Sequence, residues 1–372
     1  MTIVISAVNI VNGGAMTVLQ DCLSKLSASE MVHKYHVVAL VHSKKLFPQF
    51  DNIEYIEFPK AKKHYIYRLY YEFFVFNKIS KRLNVKLWFS LHDMSPRVKA
   101  DIQAVYMHNP SPFYKPKLKD WKYIPINALW AYLYKYVYRI NIHSNNYLVV
   151  QQEWLRNEFS KIFSIPKEKI IVSRPDNVSL EHINSRIEDN KKPVYTFLYP
   201  AYPRVFKNFD VICEAARILE ARGEKGMVIY LTINGTENRY SNDLVNRYSK
   251  NSLLKFVGIL SHDMIIKMYD RCDCLLFPSR LETWGLPISE FKQYKKPMIV
   301  SDLPYAHETA AGASKVIFFN PESAEDLANI MHNASHGIFD GFVSVPPIEI
   351  HSPCSFSWDE LFFLLLNKHE CL

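Results

Sequence analysis

Glycine is scarce, with ten residues in a chain of 372. No G-x-G-x-x-G and no G-x-x-x-x-G-K-[ST] occurs, so dinucleotide-binding and P-loop readings lose the glycine-rich loop through which a backbone approaches phosphate. No apolar run reaches the length that crosses a bilayer. The N-terminus, MTIVISAVNIVNGG, lacks the basic region and cleavage site of a secretory signal and reads as a first strand. Cysteine is sparse and scattered, at 22, 213, 272, 274, 354 and 371. That pattern suits reduced thiols in a cytosolic protein rather than a disulfide framework. Cys272 and Cys274 have no second Cys or His pair beside them and read as buried packing. His332 and His336 stand four apart but lack the glutamate of a metalloprotease helix, so they read as plain helix surface.

What is present is globular: 48% hydrophobic and 22% charged residues, in a chain long enough for two domains of ordinary size. Apolar runs predict strands at Thr2–Val8, Tyr35–His42, Leu87–Phe89, Ala104–Met107, Tyr147–Val150 and Ile170–Val172, with helices between them, Met16–Leu26 among these. A polar stretch, Ser173–Pro193, then reads as a linker. Beyond it, strands are expected at Val194–Tyr199, Met227–Ile233, Leu254–Val257, up to Phe277, and from Met298. They alternate with helices at Asp210–Arg222, Asp263–Asp270 (with Ser261 as N-cap) and Ala324–His332, and a last helix starts at Phe356–Glu360. Alternation of this kind implies two doubly wound α/β units.

The stretch from Phe277 to Asp302 organises the rest. It runs strand, polar loop, helix, strand, and in open α/β sheets such a loop lies at the carboxyl edge, where ligands bind. Glu282 stands in the loop and Glu290 in the helix, eight residues on, so both can point into one cleft from different heights. Two solvated helix-face glutamates would give the same spacing. The context, Glu282-Thr-Trp-Gly-Leu-Pro-Ile-Ser-Glu290 followed by Lys296-Pro-Met-Ile-Val-Ser-Asp302, resembles the E-x7-E segment of the retaining glycosyltransferases of family 4, which have the two-domain GT-B fold. Thr283 and Lys295 stand where the family usually has glycine.

The resemblance implies two Rossmann-like domains facing a cleft. These are an acceptor-binding domain over 1–175, a nucleotide-sugar-binding domain over 176–355, and a C-terminal helix over 356–372 that crosses back to the first. It implies donor contacts from Glu282, Thr283, Trp284, Gly285, Leu286 and Glu290, with Glu290 on the ribose hydroxyls. Arg204 and Lys207, in Pro203-Arg-Val-Phe-Lys-Asn208, resemble the family's diphosphate clamp, with Pro203 in place of a usual glycine. Gly13 and Gly14 resemble its N-terminal loop against the diphosphate; a turn feeding a helix N-terminus offers free N–H groups to an anion. His108 leaves a strand end and resembles the histidine that family members place near the transferred sugar. The segment Tyr305–Glu308 resembles the one beneath the donor. The resemblance implies neither metal nor cofactor, in keeping with the absence of Asp-x-Asp, through which the other large glycosyltransferase fold holds a metal.

Two segments are unusual. Lys60–Leu83 carries seven Lys or Arg against one acid, Glu72, interleaved with Tyr and Phe; Trp121–Arg139 repeats the theme. The aromatics fit either a core with a solvated basic face or contact with an anionic membrane surface; single-stranded nucleic acid is disfavoured. The resulting expectation is a hexosyltransferase using a nucleoside-diphosphate sugar and an undecaprenyl-diphosphate-linked glycan acceptor in O-antigen or capsule assembly. It would be cytoplasmic and peripheral on the anionic inner face of the bacterial inner membrane, without nucleic-acid partners. A transferase with a soluble acceptor, and a non-catalytic sugar-nucleotide- or polysaccharide-binding protein of the same fold, are the alternatives.

Overall fold

The computed structural model describes residues 1–174 and 194–367, so nearly all of the expected linker, and Cys371, lie outside the described residues. Within them the chain forms two compact units: 1–113, 131–174 and 350–367 in the first, 114–130 and 194–349 in the second. The strands in chain order are β1 (Thr2–Ala7), β2 (His36–Val41), β3 (Ile53–Glu57), β4 (Val85–Ser90), β5 (Ala100–Tyr106), β6 (Tyr147–Val150) and β7 (Ile170–Ser173). There follow β8 (Tyr195–Tyr199), β9 (Met227–Leu231), β10 (Leu254–Phe256), β11 (Cys274–Phe277), β12 (Met298–Ser301), β13 (Val316–Phe319) and β14 (Cys354–Ser355). The first unit holds an eight-stranded sheet in the order β3-β2-β1-β4-β5-β6-β7-β14, the second a six-stranded sheet in the order β10-β9-β8-β11-β12-β13. All pairings between these strands are parallel. Each sheet reverses direction once, between β1 and β4 and between β8 and β11. Those are the switch points at which crossovers leave to opposite faces and a crevice opens at the carboxyl ends.

Parallel sheets are covered on both faces, which is why their strands read as continuous apolar runs. In β1, Ile3, Ile5 and Ala7 join a core with Leu19, Cys22 and Leu23 of the helix Gly14–Ala28 and Leu361 and Phe362 of the helix Trp358–Leu366. Val4 and Val8 face the other way, onto Phe76 and Trp88. The chain's return to the first unit is fastened by Arg156. Its buried guanidinium donates to the carbonyls of His351 and Pro353, and Trp358 Nε1 donates to Asp21 at 2.7 Å.

Three strands were not expected from the sequence. β3 is an edge strand, IEYIE, with one side open, so its acids at 54 and 57 break the apolar run; β13 and β14 are four and two residues long. The helix Arg239–Tyr248 also went unseen, its apolar face being only Tyr240, Leu244 and Tyr248 among polar residues. Cys272 and Cys274 are buried, as expected. Ser261 caps the helix His262–Arg271 by accepting from Met264 N–H. Lys295 adopts φ 56°, the left-handed conformation that a glycine there would take without strain. Among the described residues, no helix is long and apolar enough to cross a membrane.

The carboxyl edge of the second sheet is pinned by Asn208. It has φ 60° and is fully buried, and its amide donates to the carbonyls of Pro278 (3.1 Å) and Pro321 (2.8 Å). It thereby joins the loops that follow β8, β11 and β13. Asn208→Ala should destabilise the second unit by about 2–4 kcal/mol, from two lost hydrogen bonds, two buried carbonyls left bare and a left-handed backbone that alanine tolerates less well than asparagine. Asn208→Gly should cost less, since it loses the same hydrogen bonds but takes the left-handed conformation without strain; chemical denaturation of the three proteins measures both.

Candidate functional site

At the second unit's switch point the loops after β8 and β11 meet. After β8 the chain runs out through Pro203 and Arg204, turns at Val205–Lys207, and enters the helix Phe209–Ala221. Tyr199 donates its hydroxyl to the Lys207 carbonyl at 2.7 Å, and Arg280 N–H donates to the Phe206 carbonyl at 2.8 Å, which fixes one loop on the other. Lys207 Nζ and Glu282 Oε1 form a close ion pair, with only 19% and 13% of their side chains exposed. The ammonium also lies 5.8 Å from the Phe277 ring centre and 5.9 Å from that of Phe206. A charge pair held this far from water is electrostatically stronger than one on an open surface. Arg204 is exposed; its guanidinium lies 5.9 Å from the Phe206 ring and forms no hydrogen bond or ion pair among the described residues. Arg280, which sequence reasoning passed over, donates to Glu322 at 2.7 Å from the same loop; only its place in the loop would have signalled it.

Glu290 is placed differently. It is buried on the helix Leu286–Phe291, where Tyr269 donates to Oε2 at 2.9 Å and His262 Nε2 lies 3.2 Å from Oε1. No contact joins it to the Lys207–Glu282 pair among the described residues. Between them, Gly285 takes φ 92°, a turn open to glycine without strain, and lets the helix begin at Leu286 with Pro287 in its first turn. Trp284 is buried and donates Nε1 to Ser289 at 2.7 Å, and its carbonyl accepts from Thr309 Oγ1. The indole thus braces the loop that carries Glu282, Thr283 and Gly285, while Leu286 stays exposed. Tyr305 donates to the Ser279 carbonyl at 2.6 Å, supporting the same loop from below.

In the first unit the loops after β1, β4 and β5 gather polar groups at the carboxyl edge. Gly13 has φ 74° and Gly14 opens the helix Gly14–Ala28, whose first turn carries no acid. His108 follows β5, and its ring stacks on Tyr106 with centroids 4.4 Å apart. The N–H groups of His108 and Asn109 both donate to Asp93 Oδ1, and Asp93 itself sits at φ 63°. The His108 Nε2 atom is sealed from solvent without a hydrogen-bond partner among the described residues. Behind it lies a buried group around His92: Glu72 stands 3.9 Å from Arg68 Nε and 3.4 Å from His92 Nδ1, and His92 Nε2 lies 3.1 Å from Ser6 Oγ. Burial drives these groups towards neutrality. It pushes His108 down to about 4 and lowers His92, whose neighbour Arg68 adds to the shift; it raises Glu72 to about 8 and Asp93 to about 6.

The aromatic-basic segments divide between core and surface. Phe76 and Tyr138 are buried, but on the helix Pro125–Arg139 the residues Ile126, Leu129, Leu133 and Tyr136, with Ile140 just beyond, form an exposed apolar stripe at helical spacing. Ile66, Tyr67, Tyr70 and Phe74 are exposed likewise.

The folded-state pKa of His108 lies below the unfolded value, so the unfolded chain takes up its proton first on acidification. Its contribution to stability is present above pH ~6.5 and is lost as the pH falls towards ~4. Glu72 and Asp93, whose folded values are raised, act in the opposite sense in the same range. The stability difference between wild type and His108→Gln should therefore shrink as pH falls from 7 to 4.5. Thermal unfolding of both proteins across that range checks it; a pH-independent difference would contradict it.

Residues 180–336 match the family model described as Glycosyl transferases group 1. A stretch of 83 residues is 30% identical to the serotype-specific mannosyltransferase WbdA of Escherichia coli, spanning 22% of this chain and 10% of that longer protein. The structure is similar to that of the lipopolysaccharide outer core galactosyltransferase WaaB in its apo form, with TM-score 0.64, 13% identity and coverage of 91% of this chain and 92% of that one. It is also similar to Alr3699/HepE of Anabaena in complex with UDP and glucose, with TM-score 0.56, 13% identity and coverage of 90% and 89%. Two parallel sheets, each reversing at one switch point, give this chain the GT-B fold, and the stretch 180–336, which falls on the second of them, is similar to the glycosyl transferases group 1 family (glycosyltransferase family 4).

Proposed function

We propose that this protein is a retaining glycosyltransferase that moves a hexose-type sugar from a nucleoside-diphosphate sugar to a lipid-linked glycan acceptor in bacterial surface-polysaccharide assembly. The observation that carries the reading is the meeting of Lys207 and Glu282 at the switch point of the second sheet, from residues 75 apart in sequence. Glycosyl transfer leaves a diphosphate whose negative charge grows as the glycosidic bond breaks. An ammonium already fixed by Glu282 and two aromatic rings meets that charge without reorganising, which favours the transition state over the ground state. Arg204, exposed and without an ion pair among the described residues, adds a fork that suits phosphate oxygens. Glu290, whose carboxylate is held by Tyr269, is our candidate acceptor for the ribose hydroxyls. The sealed, unpartnered Nε2 of His108 suits a hydrogen bond to a sugar hydroxyl, and the turn at Gly13 and Gly14 suits an anionic oxygen. UDP and glucose bound to the HepE structure, and the mannosyl- and galactosyltransferase names of the other relatives, support a nucleotide-sugar donor.

Lys207→Ala and Arg204→Ala should each lower turnover at saturating donor by about a hundred- to a thousandfold, the effect of removing one charge-stabilising donor. Glu290→Gln should instead weaken nucleotide binding, each charged hydrogen bond contributing about 1.5–3 kcal/mol. Turnover with a panel of nucleotide sugars, and calorimetry with the free nucleotide, separate the two effects. Rates within threefold of wild type for both cation variants would overturn the clamp.

A lipid-linked acceptor is supported by the exposed stripe Ile126, Leu129, Leu133, Tyr136 and Ile140 in a chain of net charge +8. Apolar side chains amid Lys and Arg suit insertion at an anionic bilayer surface, with each basic residue adding about 1 kcal/mol that salt weakens. Flotation with anionic liposomes should show binding at low salt that falls at high salt, and Leu129→Ser/Leu133→Ser should weaken it. Absence of binding at low salt would favour a soluble acceptor.

A further inference from the structure

We propose that Glu224, His332 and His336 form a site for a divalent cation of the zinc type on the second unit, apart from the residues assigned to the donor. His332 lies in the last turn of the helix Ala324–Ser335 and His336 follows one turn on, at the helix C-cap, so both rings fall on one face, 4.4 Å apart between centroids. Nothing local in the sequence supplies a third ligand. Packing does: the helix Phe209–Ala221 lies along Ala324–Ser335, and the turn that ends it carries Glu224 to the histidines, 108 residues away in sequence from His332. One ligand atom from each of the three lies within 4.8 Å of the others. In tetrahedral zinc coordination, bonds of about 2.0–2.2 Å put neighbouring ligand atoms about 3.3 Å apart, so a shift of about 1–1.5 Å in exposed side chains assembles the set.

The hydrogen bonding already prepares it. His336 Nδ1 lies 2.8 Å from the His332 carbonyl, which can only accept, so the ring carries its proton on Nδ1 and leaves Nε2 as the lone-pair nitrogen. His332 Nδ1 and Glu224 Oε1 are at hydrogen-bond distance, and a cation would take the place of the proton between them. The Glu224 carboxylate is mostly buried and its backbone N–H donates to Leu219 at 3.1 Å, so this ligand is set before any ion arrives. Two imidazoles and one carboxylate, with room on the exposed His336 side for water, is a donor set for zinc rather than for magnesium, which takes oxygen ligands. Bound there, the ion would cross-link the ends of two packed helices and stabilise the second unit by binding the folded form alone.

The test uses the full chain freed of metal by chelation and dialysis, titrated with Zn2+ against a chromogenic zinc indicator, with thermal unfolding in parallel. The expected result is one Zn2+ per chain with micromolar affinity and a rise in Tm, and no rise with Mg2+. His336→Ala, an exposed position, should leave the metal-free Tm unchanged and weaken Zn2+ binding at least about tenfold, and Glu224→Gln should weaken it as well. No stoichiometric Zn2+ binding, or equal affinity in wild type and in both variants, would overturn the site.

Discussion

A parallel sheet cannot be closed by tight turns. Successive strands of each sheet must be joined by crossovers, and right-handed crossovers wound both ways from the switch point put helices on both faces. That single constraint fixes where chemistry can stand. Only at the strand where the winding reverses do two neighbouring crossovers part, and there two loops are left to face each other. In the second unit those loops carry Lys207 and Glu282. The ion pair, the Asn208 amide bonds and the Tyr199 and Tyr305 hydroxyl bonds to loop carbonyls all depend on that parting. They convert two loops into one rigid edge.

The first unit meets the same constraint with different groups. Its carboxyl edge holds buried Arg68, Glu72 and His92, with half-buried Asp93, beside His108. Taking such groups out of water is unfavourable unless they are paired or neutral, and the structure uses both routes. Raised acids and lowered histidines share few charges around one guanidinium, and a neutral His108 imidazole is left at the edge. The second unit instead presents a lysine held in an ion pair and an exposed arginine. The two edges thus differ in kind, one neutral and the other charged, and our proposal gives the first to sugar hydroxyls and the second to phosphate.

Much of this was legible in sequence. Continuous apolar runs located most strands, because strands buried on both faces have no polar side to blur them. The spacing Glu282 to Glu290 and the pair Arg204 and Lys207 were visible because each lies within one loop or loop-helix step. Where the sequence was silent, the elements were half-exposed or short: β3 with its acids, β13 and β14, and the polar helix Arg239–Tyr248. Lys295 is instructive in another way. Set against a usual glycine it looks like a break in the pattern, yet the backbone keeps the left-handed turn and bears the strain of a β-carbon there.

Sequence alone determined the class of the fold and the residue types available for chemistry, because hydrophobic period and local spacing are properties of neighbours along the chain. Tertiary structure decided what those residues do together. It paired Lys207 with Glu282 but gave Glu290 to Tyr269; it buried Tyr138 and left Tyr136 in solvent; and it brought Glu224 to a pair of histidines that by themselves read as surface. The physical reason is the same in each case. Charge, burial and ligation act over a few ångströms in space, and which groups come that close is set by the packing of elements scores of residues apart.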